Sequence, residues 1–333
     1  MRVLVARLDN AGDVLLSGPC VRAVSAGADS VTMLAGPRGR AAAELLPGVD
    51  EVIEWCAPWI DPEPPPVTAE HLKALRGKVT GFDAALVVTS FHQSPLPLAL
   101  ILRECGVPWI GAISDDYPGS LLDLRYRAEG DPPEPERALS LAEAAGFALP
   151  PGDDGRLAVR GPLPDVSDLV GAPGYVVVHP AASVPAREWP AEPCAEAVRM
   201  LARDGYRVVV TGGPAEAELT ARVAGGHALD LAGRTDLRQL AAVLDRARVV
   251  VAPNTGPAHL AAAVGTPVVS LFAPVVPAVR WAPYGVPLVL LGDQDAACRD
   301  TRARRCPVPG HPCLAGVSPD EVRQAVEKLG GAA

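Results

Sequence analysis

Apolar and polar positions alternate along this chain in blocks, not residue by residue. In the first half, RVLVAR, SVTMLAG, VDEVIEW, FDAALVVTS and VPWIGAI are short, mostly continuous apolar runs. Runs of this length and branched content read as strands buried on both faces. Helix-compatible segments such as VLLSGPCVRAVSAG and RGRAAAELL lie between them. That alternation predicts a parallel, doubly wound sheet. Residues 57–67 (APWIDPEPPPV) cannot form helix or central strand, because proline fixes φ and lacks an N–H. The polar, Pro-rich stretch 114–137 predicts a loop.

A second series starts near residue 173. GYVVVHP, YRVVVTGG, HALDLAG, ARVVVAP and TPVVSLF alternate with predicted helices at 191–204, 214–225, 236–246 and 256–265. Pro, Gly and Asp crowd residues 150–172, which predicts a linker. The expected organisation is α/β, with two Rossmann-like domains over residues 1–160 and 161–333. Ligands of such folds sit at the carboxyl ends of the strands, and two such halves imply a cleft between them.

The stretch APNTGPAH (252–259) marks one of those carboxyl ends. Asn254 or Thr255 is placed to cap the following helix, and Pro257 fits its first turn. The start of a helix just past a parallel strand offers free N–H groups and the positive dipole end to an anion. His259, one turn in, reads either as a half-buried packing residue or as a phosphate donor.

Composition narrows the partners. The chain has 333 residues, 49% of them hydrophobic, enough for two domains with cores of their own. Net charge is −9, which argues against a nucleic-acid backbone as ligand. Lys73, Lys78 and Lys328 are the only lysines, and with 32 Gly and 36 Pro this points to a GC-rich bacterial genome. No apolar run approaches the roughly 18 residues of a membrane span, and MRVLVARLDN does not read as a signal peptide. Seven cysteines fit a reducing compartment, so a cytoplasmic protein is expected.

Three further motifs carry candidate chemistry. RLDNAGDVLLSGP sets Asp13 where the first helix begins, either as a cap or as a carboxylate at a strand end. HPAASVPAREWP places Arg187 before Trp189 and Pro190, as a surface arginine or as a guanidinium fork for a diphosphate. In TGGPAEAE, Gly212 and Gly213 permit a tight turn, and Glu216 or Glu218 either receives ribose hydroxyls or complements a helix dipole. Cys298, Cys306, His311 and Cys313 have a spacing that matches no standard structural zinc pattern.

NTGPAHLAAAVGTPVVSLFAP followed by RWAPYG, with RLDNAGDVLLSGP and HPAASVPAREWP in order before it, resembles glycosyltransferase family 9, the lipopolysaccharide heptosyltransferases and their relatives. The resemblance runs from residue 2 to a helix at 318–329. It implies a GT-B fold, an acceptor-binding first domain and a donor-binding second domain, with the last helix packing back towards the first. It also implies inverting transfer from a nucleotide-diphosphate sugar, ADP-heptose above all, to a glycan, lipid-linked or small-molecule hydroxyl, and the lack of an acidic motif for a diphosphate-bridging Mg²⁺ predicts that no metal is needed. By the same resemblance Asp13 is the base, Arg187 contacts the donor phosphates, Glu216 the ribose, and Thr255, Gly256 and His259 the diphosphate, with Asn254 counted among the donor-binding residues. Arg7, Gly12, Gly212, Gly213 and Arg280 are further cleft residues. No cofactor and no metal is expected, and a monomer in peripheral contact with the inner face of the cytoplasmic membrane fits a lipid-linked acceptor. Asn254 stands where many members carry Asp, and Glu188 where a basic residue is common. The rival readings are a nucleotide-sugar epimerase or hydrolase of similar fold, and a catalytically silent nucleotide-sugar-binding protein.

Overall fold

The computed structural model describes residues 1–331, which form two compact units, Met1–Arg160 and Gly161 onward. In the first, six strands carry the sheet: β1 (Arg2–Arg7), β2 (Ser30–Ala35), β3 (Glu51–Glu54), β4 (Ala84–Val87), β5 (Trp109–Ile113) and β6 (Leu124–Tyr126). Its helices are α1 (Ala11–Leu16), α2 (Gly18–Gly27), α3 (Arg40–Leu45), α4 (Ala69–Arg76), α5 (Leu96–Glu104) and α6 (Glu134–Ala144). The strand order is β3-β2-β1-β4-β5-β6, parallel throughout.

The second unit repeats this plan. Its strands are β7 (Tyr175–Val178), β8 (Val208–Val210), β9 (Leu229–Asp230), β10 (Ala247–Pro253), β11 (Val268–Leu271) and β12 (Leu288–Leu291). Its helices are α7 (Ser167–Val170), α8 (Ala191–Arg203), α9 (Ala217–Ala224), α10 (Leu237–Asp245), α11 (Gly256–Ala263), α12 (Ala278–Trp281), α13 (Pro312–Ala315) and α14 (Pro319–Gly330). The parallel order β12-β11-β10-β7-β8-β9 is the first sheet's order seen from the other edge. Both are doubly wound Rossmann sheets, in which the connections reverse direction beside the first strand of the unit.

The central strands are apolar because both faces are covered. Val3, Leu4 and Val5 of β1 and Val249, Val250 and Val251 of β10 are buried on both sides of their sheets. Burying one such side chain contributes about 1.5–3 kcal/mol. The terminal α14 packs against α8 and β10 of its own unit, with Val322, Ala325, Val326 and Leu329 buried there.

Several elements depart from the sequence reading. The stretch 114–137 is not wholly loop: it contains β6 and the start of α6. These three residues add an edge strand by pairing Leu124 with Gly111, a tertiary event that a polar run does not announce. β12 was not foreseen, and HALDLAG contributes only two strand residues. The helix expected across VLLSGPCVRAVSAG is broken at Ser17, because Pro19 cannot donate back to Leu15. Ser17 takes up the break by donating its hydroxyl to the Val14 carbonyl at 2.6 Å.

Candidate functional sites

The carboxyl end of β1 holds a cluster of charge. Arg7, the last residue of the strand, is 2% exposed. Its Nε lies 2.8 Å from Asp9 Oδ2, its Nη2 lies 3.1 Å from Asp13 Oδ1, and its Nη1 lies 3.6 Å from Glu134 Oε2. Nη2 also donates to Ser90 Oγ at 2.9 Å, just beyond β4. Asp13 sits in the first turn of α1, which starts after Asn10, so it is not the cap residue. Glu134 is the first residue of α6, where the helix dipole favours a carboxylate. Arg137, one turn later, stands 3.5 Å from Glu134 and donates to the Thr89 carbonyl at 2.7 Å.

Three carboxylates therefore share Arg7, and Arg137 partly balances one of them. Burial works to lower the Arg7 pKa, yet Asp9, Asp13 and Glu134 together raise it, so the guanidinium stays charged. Asp9 moves the other way from an ordinary carboxylate. Burial pushes it up to about 6, against the attraction of Arg7 and the hydrogen bond from Gln93. The backbone here is tightly seated. A Cβ on Gly36 would lie 2.5 Å from the Leu8 carbonyl oxygen, and one on Gly39 would lie 2.8 Å from that of Asp9. Gly12, inside α1, is buried.

In the second unit the carboxyl ends of β7, β8 and β10 gather a second set. The 3-10 turn Pro185–Arg187 precedes α8, and Arg187 Nη1 donates to the Asn254 carbonyl at 3.5 Å. That bond joins residues 67 apart and brings the expected guanidinium to the start of α11. Thr255 is the N-cap of α11 in extended conformation, but neither it nor Asn254 caps with its side chain as the sequence suggested. Asn254 is 3% exposed, and its Nδ2 has no hydrogen-bond partner among the described residues. Gly256 and Pro257 open the helix and His259 is buried one turn along. A buried amide donor and the free N–H groups of a helix start are suited to an acceptor-rich anion.

Glu216 and the glycine turn adjoin this edge. Glu216 Oε2 accepts from the Gly213 N–H at 2.7 Å, so part of its carboxylate closes its own turn. Gly212 admits no Cβ, which would lie 2.6 Å from Thr220 Cγ2. Glu218 is exposed on α9. His179, at the end of β7, has Nδ1 3.0 Å from Thr211 Oγ1, and burial pushes its pKa down to about 4 against the pull of Glu216. Arg280 lies on α12, with its guanidinium 5.9 Å from the Trp281 ring centroid. Cys298 and Cys313 are buried, and desolvation followed by the neighbouring Cys298 and Cys306 raises the Cys313 thiol to about 12. Among the described residues no group of three or more His, Cys, Asp or Glu is set to hold a metal ion.

Sequence reasoning missed Asp9, Ser90, Glu134 and His179 as parts of these clusters. Asp9 carried a signal, two residues beyond Arg7 in RLDNAGD; Glu134 carried none beyond a helix start.

Two Rossmann sheets of matching order, each with polar groups at its carboxyl edge, define an α/β protein of the GT-B class. Residues 71–311, well over half of the chain, match glycosyltransferase family 9 (heptosyltransferase), and the chain belongs to that family. It is 34% identical over 116 residues to lipopolysaccharide heptosyltransferase 3 of Escherichia coli, a stretch covering 33% of each chain. It is 32% identical over 114 residues to the lipopolysaccharide core heptosyltransferase OpsX of Haemophilus influenzae, again 33% of each. These alignments thus span about a third of the curated relatives. The fold matches the structure of the E. coli ADP-heptose lps heptosyltransferase II with a TM-score of 0.73 at 20% identity, over 100% of this chain and 99% of that one.

Proposed function

We propose that this chain is an inverting, metal-independent glycosyltransferase. In this reading it moves a heptose or related sugar from a nucleoside diphosphate, ADP in the first instance, to an acceptor hydroxyl. The observation that carries the reading is the Arg187–Asn254 junction at the start of α11. It sets a guanidinium, a buried amide and helix N–H groups at one strand end, in a chain of family 9.

In the proposed reaction the Asp13 carboxylate takes the proton of the acceptor hydroxyl as that oxygen attacks the anomeric carbon from the face opposite the diphosphate. The bond from the anomeric carbon to the diphosphate oxygen breaks, and its electron pair leaves with the nucleoside diphosphate. Arg187, the N–H groups at Thr255 and Gly256, and His259 stabilise that leaving charge. Glu216 receives the ribose. Gly212 and Gly213 let the backbone approach the nucleotide, and Gly12 packs beside Asp13 in α1. Arg280 supplies a further cation to the donor. A glycan or lipid-linked acceptor, met at the cytoplasmic face of a membrane, fits the proposed family role. No helix among the described residues is long and apolar enough to cross a membrane.

Thermal unfolding with ADP, GDP and UDP, each with and without EDTA, tests the donor site. A ligand at a hundred times its Kd adds about 2.7 kcal/mol to stability. ADP is expected to raise the transition by several degrees regardless of EDTA, and Asn254→Ala to diminish that rise. An absence of any shift with all three nucleotides removes the donor reading.

A further inference from the structure

The turn that carries Arg187 closes on itself through the Arg187 N–H to the Val184 carbonyl at 3.0 Å and the Glu188 N–H to the Pro185 carbonyl at 3.2 Å, but its middle is anchored elsewhere. Its middle residue, Ala186, is 1% exposed, and both of its backbone polar groups bond to a distant segment. The Ala186 N–H donates to the Arg304 carbonyl at 3.1 Å, and the Ala186 carbonyl lies 3.1 Å from His311 Nε2. A carbonyl can only accept, so His311 must carry its proton on Nε2. Downstream, Trp189 Nε1 donates to the Val317 carbonyl at 3.3 Å.

Arg304 and His311 belong to a strap, residues 292–311, between β12 and α13. It is fixed independently of the turn, to the loop that follows β11 and to α13. Asp300 N–H donates to the Pro274 carbonyl at 2.9 Å, Arg302 N–H to Val275 at 2.8 Å, and Asp293 N–H to Cys313 at 3.0 Å. Among the described residues, the non-glycine positions with positive φ all fall in this strap: Asp300 at 58°, Arg302 at 56° and His311 at 51°. Left-handed backbone carries a cost for any non-glycine residue, smaller for Asp and His than for Arg, and persists where surrounding contacts impose it. His311 is thus held in a strained conformation from which its ring reaches the residue preceding Arg187.

We propose that His311 is a positioning residue for Arg187: its Nε2–H on the Ala186 carbonyl orders the turn so that the guanidinium stands at the start of α11. This rests on the reading of Arg187 as a donor-phosphate ligand. His311 touches no substrate in this scheme; it lowers the cost of ordering the turn when the nucleotide binds.

The variants His311→Gly and His311→Gln, in the full chain, test it. Glycine removes the ring and also relieves the left-handed strain, so the thermal transition is expected to move little. Nucleotide affinity and donor KM are expected to worsen by about tenfold while kcat changes less. Glutamine, which returns an N–H donor at comparable reach, is expected to restore much of the loss. In an Arg187→Ala background, His311→Gly should cost no further ADP affinity, since the two act through one turn. Amide exchange at Ala186 and Arg187 should accelerate in the glycine variant. Unchanged exchange, or losses that add in the double variant, overturns the proposal. If Arg187→Ala leaves ADP affinity intact, the donor reading falls instead, and the clamp on the turn is then judged by exchange alone.

Discussion

Arg7 and Asp13 meet at 3.1 Å across a gradient of exposure: the guanidinium is 2% exposed, whereas the carboxylate keeps 22% of its side-chain surface open. The cation sits behind the carboxylate and holds one oxygen, while the group as a whole stays reachable. This arrangement suits a base that must accept a proton from a bound hydroxyl. It differs from an ordinary surface ion pair, in which both partners are solvated and the pairing contributes little.

Asp13→Asn keeps the shape and the Arg7 contact but removes the proton acceptor. Turnover is expected to fall by roughly 10²-fold or more, with ADP affinity unchanged. Steady-state kinetics beside equilibrium nucleotide binding measures both, and normal turnover in the variant would end the assignment of Asp13 as base.

Arg7→Met leaves Asp9 and Glu134 buried without their shared cation, with Arg137 still 3.5 Å from Glu134. Breaking a buried pair by deleting one partner costs about 3–5 kcal/mol. Urea unfolding at pH 7 should show a loss of that size, narrowing towards pH 5 as Asp9 gains its proton. A loss under about 1 kcal/mol, the range of surface pairs, would mean that the cluster is solvated after all.

Asp9 titrates at about 6 in the fold against an ordinary 3.8, so between those values the folded chain holds a proton that the unfolded chain has released. Its contribution to stability is therefore greatest below about pH 4, declines as pH rises to about 6, and stays low above that. Asp9→Asn abolishes the titration. The variant should match the native chain near pH 4 and exceed it at pH 7.5, by on the order of 3 kcal/mol. Parallel pH–stability curves for the two proteins would contradict the buried, proton-binding Asp9.

Gly36→Ala drives a methyl group to 2.5 Å from the Leu8 carbonyl oxygen, a backbone atom that cannot swing aside. The strand end bearing Arg7, Leu8 and Asp9 has to shift. Overpacking of this kind costs about 1–3 kcal/mol, and turnover should fall further than stability alone explains because Asp13 follows in the first turn of α1. Native-like stability and turnover together would show that the loop tolerates displacement.

Much of this protein was legible along the chain. The apolar runs located ten of the twelve strands because parallel strands covered on both faces must be continuously apolar. RLDNAGD, HPAASVPAREWP and NTGPAH marked strand ends where backbone donors and charged side chains collect. β6 (LRY) escaped because it is three residues long and half-exposed, with little apolar signal, whereas β12 (LVLL) is as apolar as the strands that were located.

The sequence by itself thus determined the two α/β halves and the identity of the motif residues, since periodicity, proline placement and helix starts are local properties. Tertiary structure alone decided what those residues face. Glu134 reaches Arg7 across 127 positions, Arg187 reaches Asn254 across 67, and His311 reaches Ala186 across 125. Such meetings depend on strand order and on where each connection crosses the sheet, and they also set the balance of charge. Burial, against the attraction of Arg7 and aided by Asp13 and Glu134, pushes Asp9 up to about 6, a consequence that no local spacing encodes.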